Sequence, residues 1–163
     1  MIIGIFAVDD NGNVGNNGGM PWPPNKEDFK WFRTTTLNQV VVMGKATWNS
    51  PDMPKPLPNR INVVITNSPD QVDDVIYISG DLPFILSSLN DRYKEDIYVI
   101  GGVNILLQSK SVLEKLYITR IPSAYIADTT LNLESFLEDF KLISTKELGS
   151  CKVEEYETIQ RST

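Results

Sequence analysis

A chain of 163 residues with 15 basic and 21 acidic side chains, and hence a formal net charge of -6, has the size of one domain and no Lys/Arg cluster for non-specific nucleic-acid binding. The absence of histidine excludes the usual zinc sites and His-based triads, and a lone cysteine, Cys151, excludes an intrachain disulfide framework, so proton chemistry must use other groups. Hydrophobic residues at 41% and charged residues at 22% fit a soluble globular protein, no apolar run suits a membrane span, and the opening M-I-I-G-I-F-A-V-D-D meets acids too soon for a signal peptide; a reducing, cytoplasmic setting is expected.

Ile2 to Val8 is a continuous apolar run, as in a strand buried on both faces of a mostly parallel sheet, and Asp9 to Gly12 ends it. The stretch from Gly15 to Arg33 then begins as a loop, with Gly15, Gly18 and Gly19 permitting unusual backbone angles and Pro21, Pro23 and Pro24 forbidding regular pairing. From about Lys26 it becomes a helix on which Asp28, Trp31 and Phe32 fall at i, i+3 and i+4 and share a face. A carboxylate on an apolar face must reach water or find hydrogen-bond donors. Alone, Asp28 reads more readily as a first-turn acid complementing the helix dipole. The long Gly-rich loop before it reads as a lid, and with Trp22 alongside it strengthens the functional reading.

Val40 to Met43 is a second buried strand that stops at Gly44, and Lys45 to Trp48 opens a short helix. A strand entering a helix through Gly directs free N–H groups and the helix dipole at one point, a phosphate-binding geometry to which Lys45 adds charge. Pro51 to Pro58 is a loop leading to Arg60; Asn62 to Thr66 and Val75 to Ile78 are strands, and Leu82 to Tyr93 has helical apolar spacing. Ile97 to Ile100 runs into Gly101-Gly102 and a helix carrying Ile105, Leu106 and Leu107. Both glycine junctions would lie at the carboxyl edge of the sheet, where open α/β sheets bind ligands. With no G-x-G-x-x-G, a tight helix entry without a ligand explains Gly-Gly equally well. Leu116 to Ile121 alternates, placing Thr119 with Tyr117 and Ile121 on one face, which ordinary β-propensity also explains. Asp128-Thr129 reads as loop, Leu133 to Asp139 as one helical turn, and Lys141 to Leu148 with Lys152 to Ile159 as an antiparallel hairpin around Gly149-Ser150. The expected architecture is a single α/β domain over residues 1–163. Its sheet is doubly wound, mostly parallel and eight-stranded, with an antiparallel C-terminal edge hairpin and about four flanking helices.

Several motifs occur in order: A-V-D at Ala7 to Asp9, G-x-x-G-x-M-P-W closing at Trp22, D-x-x-W-F at Asp28 to Phe32, and V-M-G-K-x-T-W at Val42 to Trp48. They continue as P-L-P-x-R at Pro56 to Arg60, V-I-G-G at Val99 to Gly102, L-Y-I-T at Leu116 to Thr119, and D-T at Asp128 and Thr129. Over about 120 residues this order resembles the dihydrofolate reductase family. The chain departs from the family pattern in a longer turn at Asp9 to Gly15, an extra residue between Trp22 and Asp28, an enlarged Pro51 to Pro58 loop, Leu106 where an aromatic is frequent, and Ala127 in place of Gly.

The resemblance implies NADPH-dependent reduction of dihydrofolate, with hydride delivered to C6 and a proton to N5, sensitivity to antifolates, a monomer, and no metal, nucleic acid or membrane partner. Asp28 would grip the pterin, supported by Thr119, with a water held by Trp22 and a lid carrying Met20. Ile5, Phe29, Phe32 and Leu57 would wall the substrate, and Arg60 would take the α-carboxylate of its glutamate tail. NADPH would be held by Gly44, Lys45, Ala46, Thr47, Thr66, Asn67, Ile100, Gly101, Gly102, Val103, Asn104, Ile105, Gly15 and Thr129. Lys45 would meet its 2′-phosphate, and Ala7 and Val14 its nicotinamide. A related reductase of riboflavin synthesis would not need Asp28 together with Arg60, and an inactive binding scaffold would not need Trp22, Asp28 and Thr119.

Overall fold

Uninterrupted runs of Val, Ile and Leu become strands covered on both faces, and the longer amphipathic stretches between them become covering helices. The computed structural model describes residues 1–159 of the 163. In chain order the elements are β1 (Ile2–Val8), β2 (Asn13–Gly15), α1 (Lys26–Thr36), β3 (Val40–Gly44), α2 (Lys45–Trp48), β4 (Ile61–Ile65), β5 (Val75–Ile78) and α3 (Leu82–Arg92). They continue as β6 (Ile97–Gly101), α4 (Val103–Ser109), β7 (Lys115–Arg120), β8 (Thr129–Thr130), α5 (Leu133–Phe136), β9 (Phe140–Leu148) and β10 (Cys151–Thr158).

Eight strands form one sheet in the order β5-β4-β3-β6-β1-β7-β10-β9. The first six are parallel, and β10 runs antiparallel to both β7 and β9. Alternate residues of each central strand feed two cores. On one face Ile2, Val8, Val42, Val99, Leu116 and Ile118 pack with Leu82 and Leu86 of α3, Leu106 of α4 and Phe136 of α5. On the other, Ile3, Ile5, Val41, Met43 and Tyr98 pack with Trp48 of α2 and Phe32 of α1. The carboxyl ends of the six parallel strands therefore share one edge, with Val8, Gly44, Gly101 and Arg120 along it.

The expected eight-stranded sheet and its edge hairpin are present. The helices that flank it among the described residues agree with the expected number of about four, α2 and α5 being single turns, and Leu133 to Asp139 splits into α5 and a tighter turn at Leu137–Asp139. The segments read as loop at Gly15 and Thr129 pair as a second, two-stranded sheet, β2 with β8. A long-range polar node beside them ties these segments together. The buried Asp9 carboxylate accepts from the backbone N–H groups of Asn11, Asn13 and Tyr125 and from the Asn13 side chain, at 2.8–3.0 Å. Burial opposes its ionisation, but the Tyr125 and Asn13 donors outweigh it and hold the carboxyl below its usual range.

Candidate active site

At the N-terminus of α1, Asn25 caps the helix by accepting from the backbone N–H of Asp28 at 3.0 Å, which fixes where that side chain enters the protein. Asp28 is 8% exposed, and the hydroxyl of Thr119, itself buried on β7, donates to its carboxylate. Burial pushes the Asp28 carboxyl up from its ordinary value, and the Thr119 hydrogen bond only partly opposes this. Thr119 lies in the middle of the sheet, opposite Ala7 of β1 and Val153 of β10, so its position is set from both sides.

Trp22 is buried among Ile121, Cys151, Ala7, Met20, Tyr125 and Leu148, with its ring edge-on to Tyr125 at 6.4 Å. Its indole N–H has no protein acceptor among the described residues, a buried donor that a ligand or a bound water could satisfy. Ile5, Leu57, Phe32 and Ile100 belong to a neighbouring apolar group with Tyr98 and Tyr117. Trp31 packs edge-on to Tyr117 at 5.4 Å, so Asp28, Trp31 and Phe32 share an inward face as their spacing predicts. Phe29, 37% exposed, lies nearer solvent.

Arg60 is braced rather than free. Its Nε–H donates to Thr36 Oγ1 at 3.2 Å, and Nη1 and Nη2 donate to the carbonyls of Pro58 and Arg33, each at 2.6 Å. One hydrogen on each terminal nitrogen is left to point elsewhere, a pre-formed two-pronged donor. Partial burial and the neighbouring Arg33 charge both disfavour the cation at Arg60, so an anion would be welcome there. The residue borders a cavity of about 270 Å³ shared with Asn38, Asn59 and Ile61.

The two glycine junctions meet at the carboxyl edge. A Cβ on Gly44 would lie 2.9 Å from Ile105 Cγ1, and Cβ atoms on Gly101 and Gly102 would lie 3.7 and 3.8 Å from Thr47 Oγ1. Gly44 and Gly102 cap α2 and α4 without a side-chain hydrogen bond, so the first N–H groups of both helices, including those of Val103, Asn104 and Ile105, are not bonded by a capping side chain. Ala46, Asn67 and Asn104 are exposed along this edge, and Thr66 Oγ1 accepts from Ser68 N at 3.0 Å. Lys45 reaches the edge, but its ammonium is engaged by Asp70 Oδ1 at 2.8 Å and by the Ser68 carbonyl at 2.6 Å.

The glycine-rich loop is tied at both ends. Gly15 pairs with Thr129 in the small sheet, and Asn17 N donates to Asp128 Oδ2 at 2.9 Å. Asn16 and Gly19 exchange backbone hydrogen bonds across a tight turn with positive φ at Asn17 and Gly18. Gly18 alone of the three expected glycines has a positive φ; a Cβ on Gly19 would sit 2.7 Å from the Asp52 carboxylate, which would have to move aside. Asp52 accepts from the Met20 backbone N–H at 3.0 Å and so links the lid to the enlarged 51–58 loop. Ala7 joins the Trp22 group, whereas Val14 packs with the core of the opposite face. Sequence reasoning missed Asn25, Asp52 and Asp70. Asn25 was accessible as a helix-start residue three positions before Asp28, while the two acids stand in loops without periodicity.

The profile of the dihydrofolate reductase family matches residues 1–161. The chain is 36% identical over 146 residues to dihydrofolate reductase type 9 of Escherichia coli, covering 86% of this chain and 80% of that protein. It is 33% identical over 147 residues to the dihydrofolate reductase of Lactococcus lactis, covering 90% and 86%. In fold it is similar to the dihydrofolate reductase of Enterococcus faecalis complexed with NADP(H) and RAB-propyl. The TM-score is 0.84 at 24% identity, and the match covers 98% of this chain and 97% of the other.

Proposed function

The chain belongs to the dihydrofolate reductase family, whose reaction is the NADPH-dependent reduction of 7,8-dihydrofolate to 5,6,7,8-tetrahydrofolate, and we propose that the start of α1, next to the lid in the chain, carries this reaction with Asp28 as its central acid. The observation that supports this reading is the buried, raised carboxyl of Asp28 held by Thr119, together with the Trp22 indole N–H that has no acceptor among the described residues; Cys151 neighbours both. In this reading Asp28 accepts from N3 and the 2-amino group of the pterin, a charge-assisted pair that fixes ring orientation. Thr119 holds the carboxylate in place, and Trp22 presents its N–H to a water near the ring. Antifolates with the same donor pair would dock on the same carboxylate.

Ile5, Phe32 and Leu57 wall the pterin and Phe29 the more exposed benzoyl ring. The two remaining Arg60 hydrogens meet the α-carboxylate of the glutamate tail as a fork. The glycine edge fits a dinucleotide phosphate, because Gly101 and Gly102 add no side chain there, Gly44 lets Ile105 pack close, and the first N–H groups of α2 and α4 have no capping side chain. Lys45 to Thr47, Thr66, Asn67 and Ile100 to Ile105 would hold the cofactor, with Lys45 on its 2′-phosphate. Ala7 would border the nicotinamide, with Val14 reaching it only through its backbone because its side chain packs into the core, and Gly15 and Thr129 would add to the cofactor site. When bound, NADPH supplies the hydride that goes to C6. The chain's own part is to orient the pterin, exclude water by closing the loop that carries Met20, and keep a proton available near N5 through Asp28.

The family match over residues 1–161 supports a single domain over residues 1–163, which in this reading acts as a cytoplasmic monomer. Among the described residues no helix is long and apolar enough to cross a membrane. The test is a mixture of protein, NADPH and dihydrofolate followed at the NADPH absorbance band. Oxidation that stops on Asp28→Asn substitution supports the assignment, and oxidation unaffected by it removes Asp28 from the site.

A further inference from the structure

We propose that Asp70, in the loop after β4, sets how strongly the enzyme selects the phosphorylated cofactor, by competing with the 2′-phosphate for the Lys45 ammonium. The inference rests on the reading that places Lys45 at that phosphate. Lys45 Nζ bonds Asp70 Oδ1 at 2.8 Å and the Ser68 carbonyl at 2.6 Å, so two of its three hydrogens are committed. The carboxylate does not reach Lys45 by chance rotation, because its other oxygen accepts from the indole N–H of Trp48 at 2.8 Å, and Trp48 is completely buried. A fixed donor thus aims Asp70 at Lys45. Lys55 adds a second cation, 4.0 Å from Asp70 Oδ2, and stands over the Trp48 ring at 5.4 Å. Lys45 and Trp48 hydrogen bonds hold the Asp70 carboxyl below its usual range, so it is ionised at neutral pH.

The cluster therefore carries two ammonium groups and one carboxylate. A 2′-phosphate, with a charge of about -1.5 to -2 at neutral pH, would have to share or displace that carboxylate and would meet its repulsion. A ribose hydroxyl would instead find in Asp70 an acceptor, the device by which a carboxylate favours the unphosphorylated dinucleotide. The net charge of -6 gives the more anionic NADPH no compensating long-range attraction. The chain is therefore a reductase with NADPH as cofactor and a narrowed margin over NADH, and Asp70 is the residue that narrows it.

The experiment measures binding by calorimetry, without turnover, for four ligands: NADPH, NADH, 2′,5′-ADP and 5′-AMP. The proteins are the wild type, Asp70→Asn, Lys45→Ala and the double variant. Asp70→Asn keeps the size and an oxygen for Trp48 while removing the charge. The expected result is a rise of about tenfold or more in the NADPH-to-NADH and 2′,5′-ADP-to-5′-AMP affinity ratios, which disappears in the double variant. Unchanged or lower ratios in Asp70→Asn, with Lys45→Ala still lowering them, would overturn the role of Asp70 and leave Lys45 at the phosphate. Ratios unmoved by Lys45→Ala in both backgrounds would overturn the Lys45 assignment and the Asp70 inference with it.

Discussion

Asp28 is ionisable, buried and bonded by one short side chain, and its two consequences have opposite signs. Its folded value is raised, so its favourable contribution to stability is complete below the unfolded carboxyl value near 3.9 and is lost as pH rises through the folded one. At neutral pH the ionised side chain costs stability. Asp28→Asn is therefore expected to raise the melting temperature at pH 7 and to leave it unchanged near pH 3, by about 2–4 °C for each 1 kcal/mol relieved; a lower Tm at pH 7 would contradict this. Activity moves the other way. Loss of a charge-assisted pair of about 1.5–3 kcal/mol predicts a fall of at least tenfold in kcat/KM at neutral pH, partly recovered in acid where solvent protonates the substrate. Wild-type turnover should decline as pH rises through the apparent value. Arg60 makes a separate prediction, because its braced fork addresses only the tail: Arg60→Ala should weaken dihydrofolate binding about tenfold or more and spare a pterin lacking the glutamate. Equal losses with both substrates would remove Arg60 from the tail site.

Element-scale behaviour is set by a helix start and a tied loop. Asn25→Ala removes the cap that seats Asp28 and is expected to cost about 0.5–2 kcal/mol in denaturant unfolding, with a larger loss of activity than of stability because the acid shifts with the helix end. In the lid, Asp52→Ala deletes the acceptor for Met20 N–H, and Gly19→Ala pushes a methyl group into the same carboxylate. Both should speed amide exchange at Gly19 and Met20, and the double variant should do no more than either alone. Additive effects would mean that the two residues act separately. The strands were legible because Val40 to Met43 and Ile97 to Ile100 are unbroken apolar runs, and the face of Asp28 was legible from helical spacing. The β2–β8 pair was not, since two or three residues carry no period and depend on Asp9 reaching Tyr125. The Lys45–Asp70 bond was equally hidden: residue types reveal a charge at a glycine junction but not which loop acid comes back to meet it.

Over the whole molecule, the lack of histidine leaves few groups that titrate between pH 5 and 8. Any pH dependence of the rate that Asp28→Asn abolishes therefore reports on the raised Asp28 carboxyl with little background from other side chains, and a profile unchanged by Asp28→Asn would point to substrate ionisation alone. The position of β1 has a consequence for biosynthesis. It is synthesised well before its sheet neighbours, which begin with Ile97 and Lys115. At about 5–20 residues per second, the central strand waits roughly 5–20 s for partners. During that interval Ile2, Ile3 and Ile5 have no sheet partners and are open to chaperones and to other nascent chains, so the order of translation bears on the yield of folded protein. Slowing translation before residue 120 should increase aggregation, and slowing it afterwards should not.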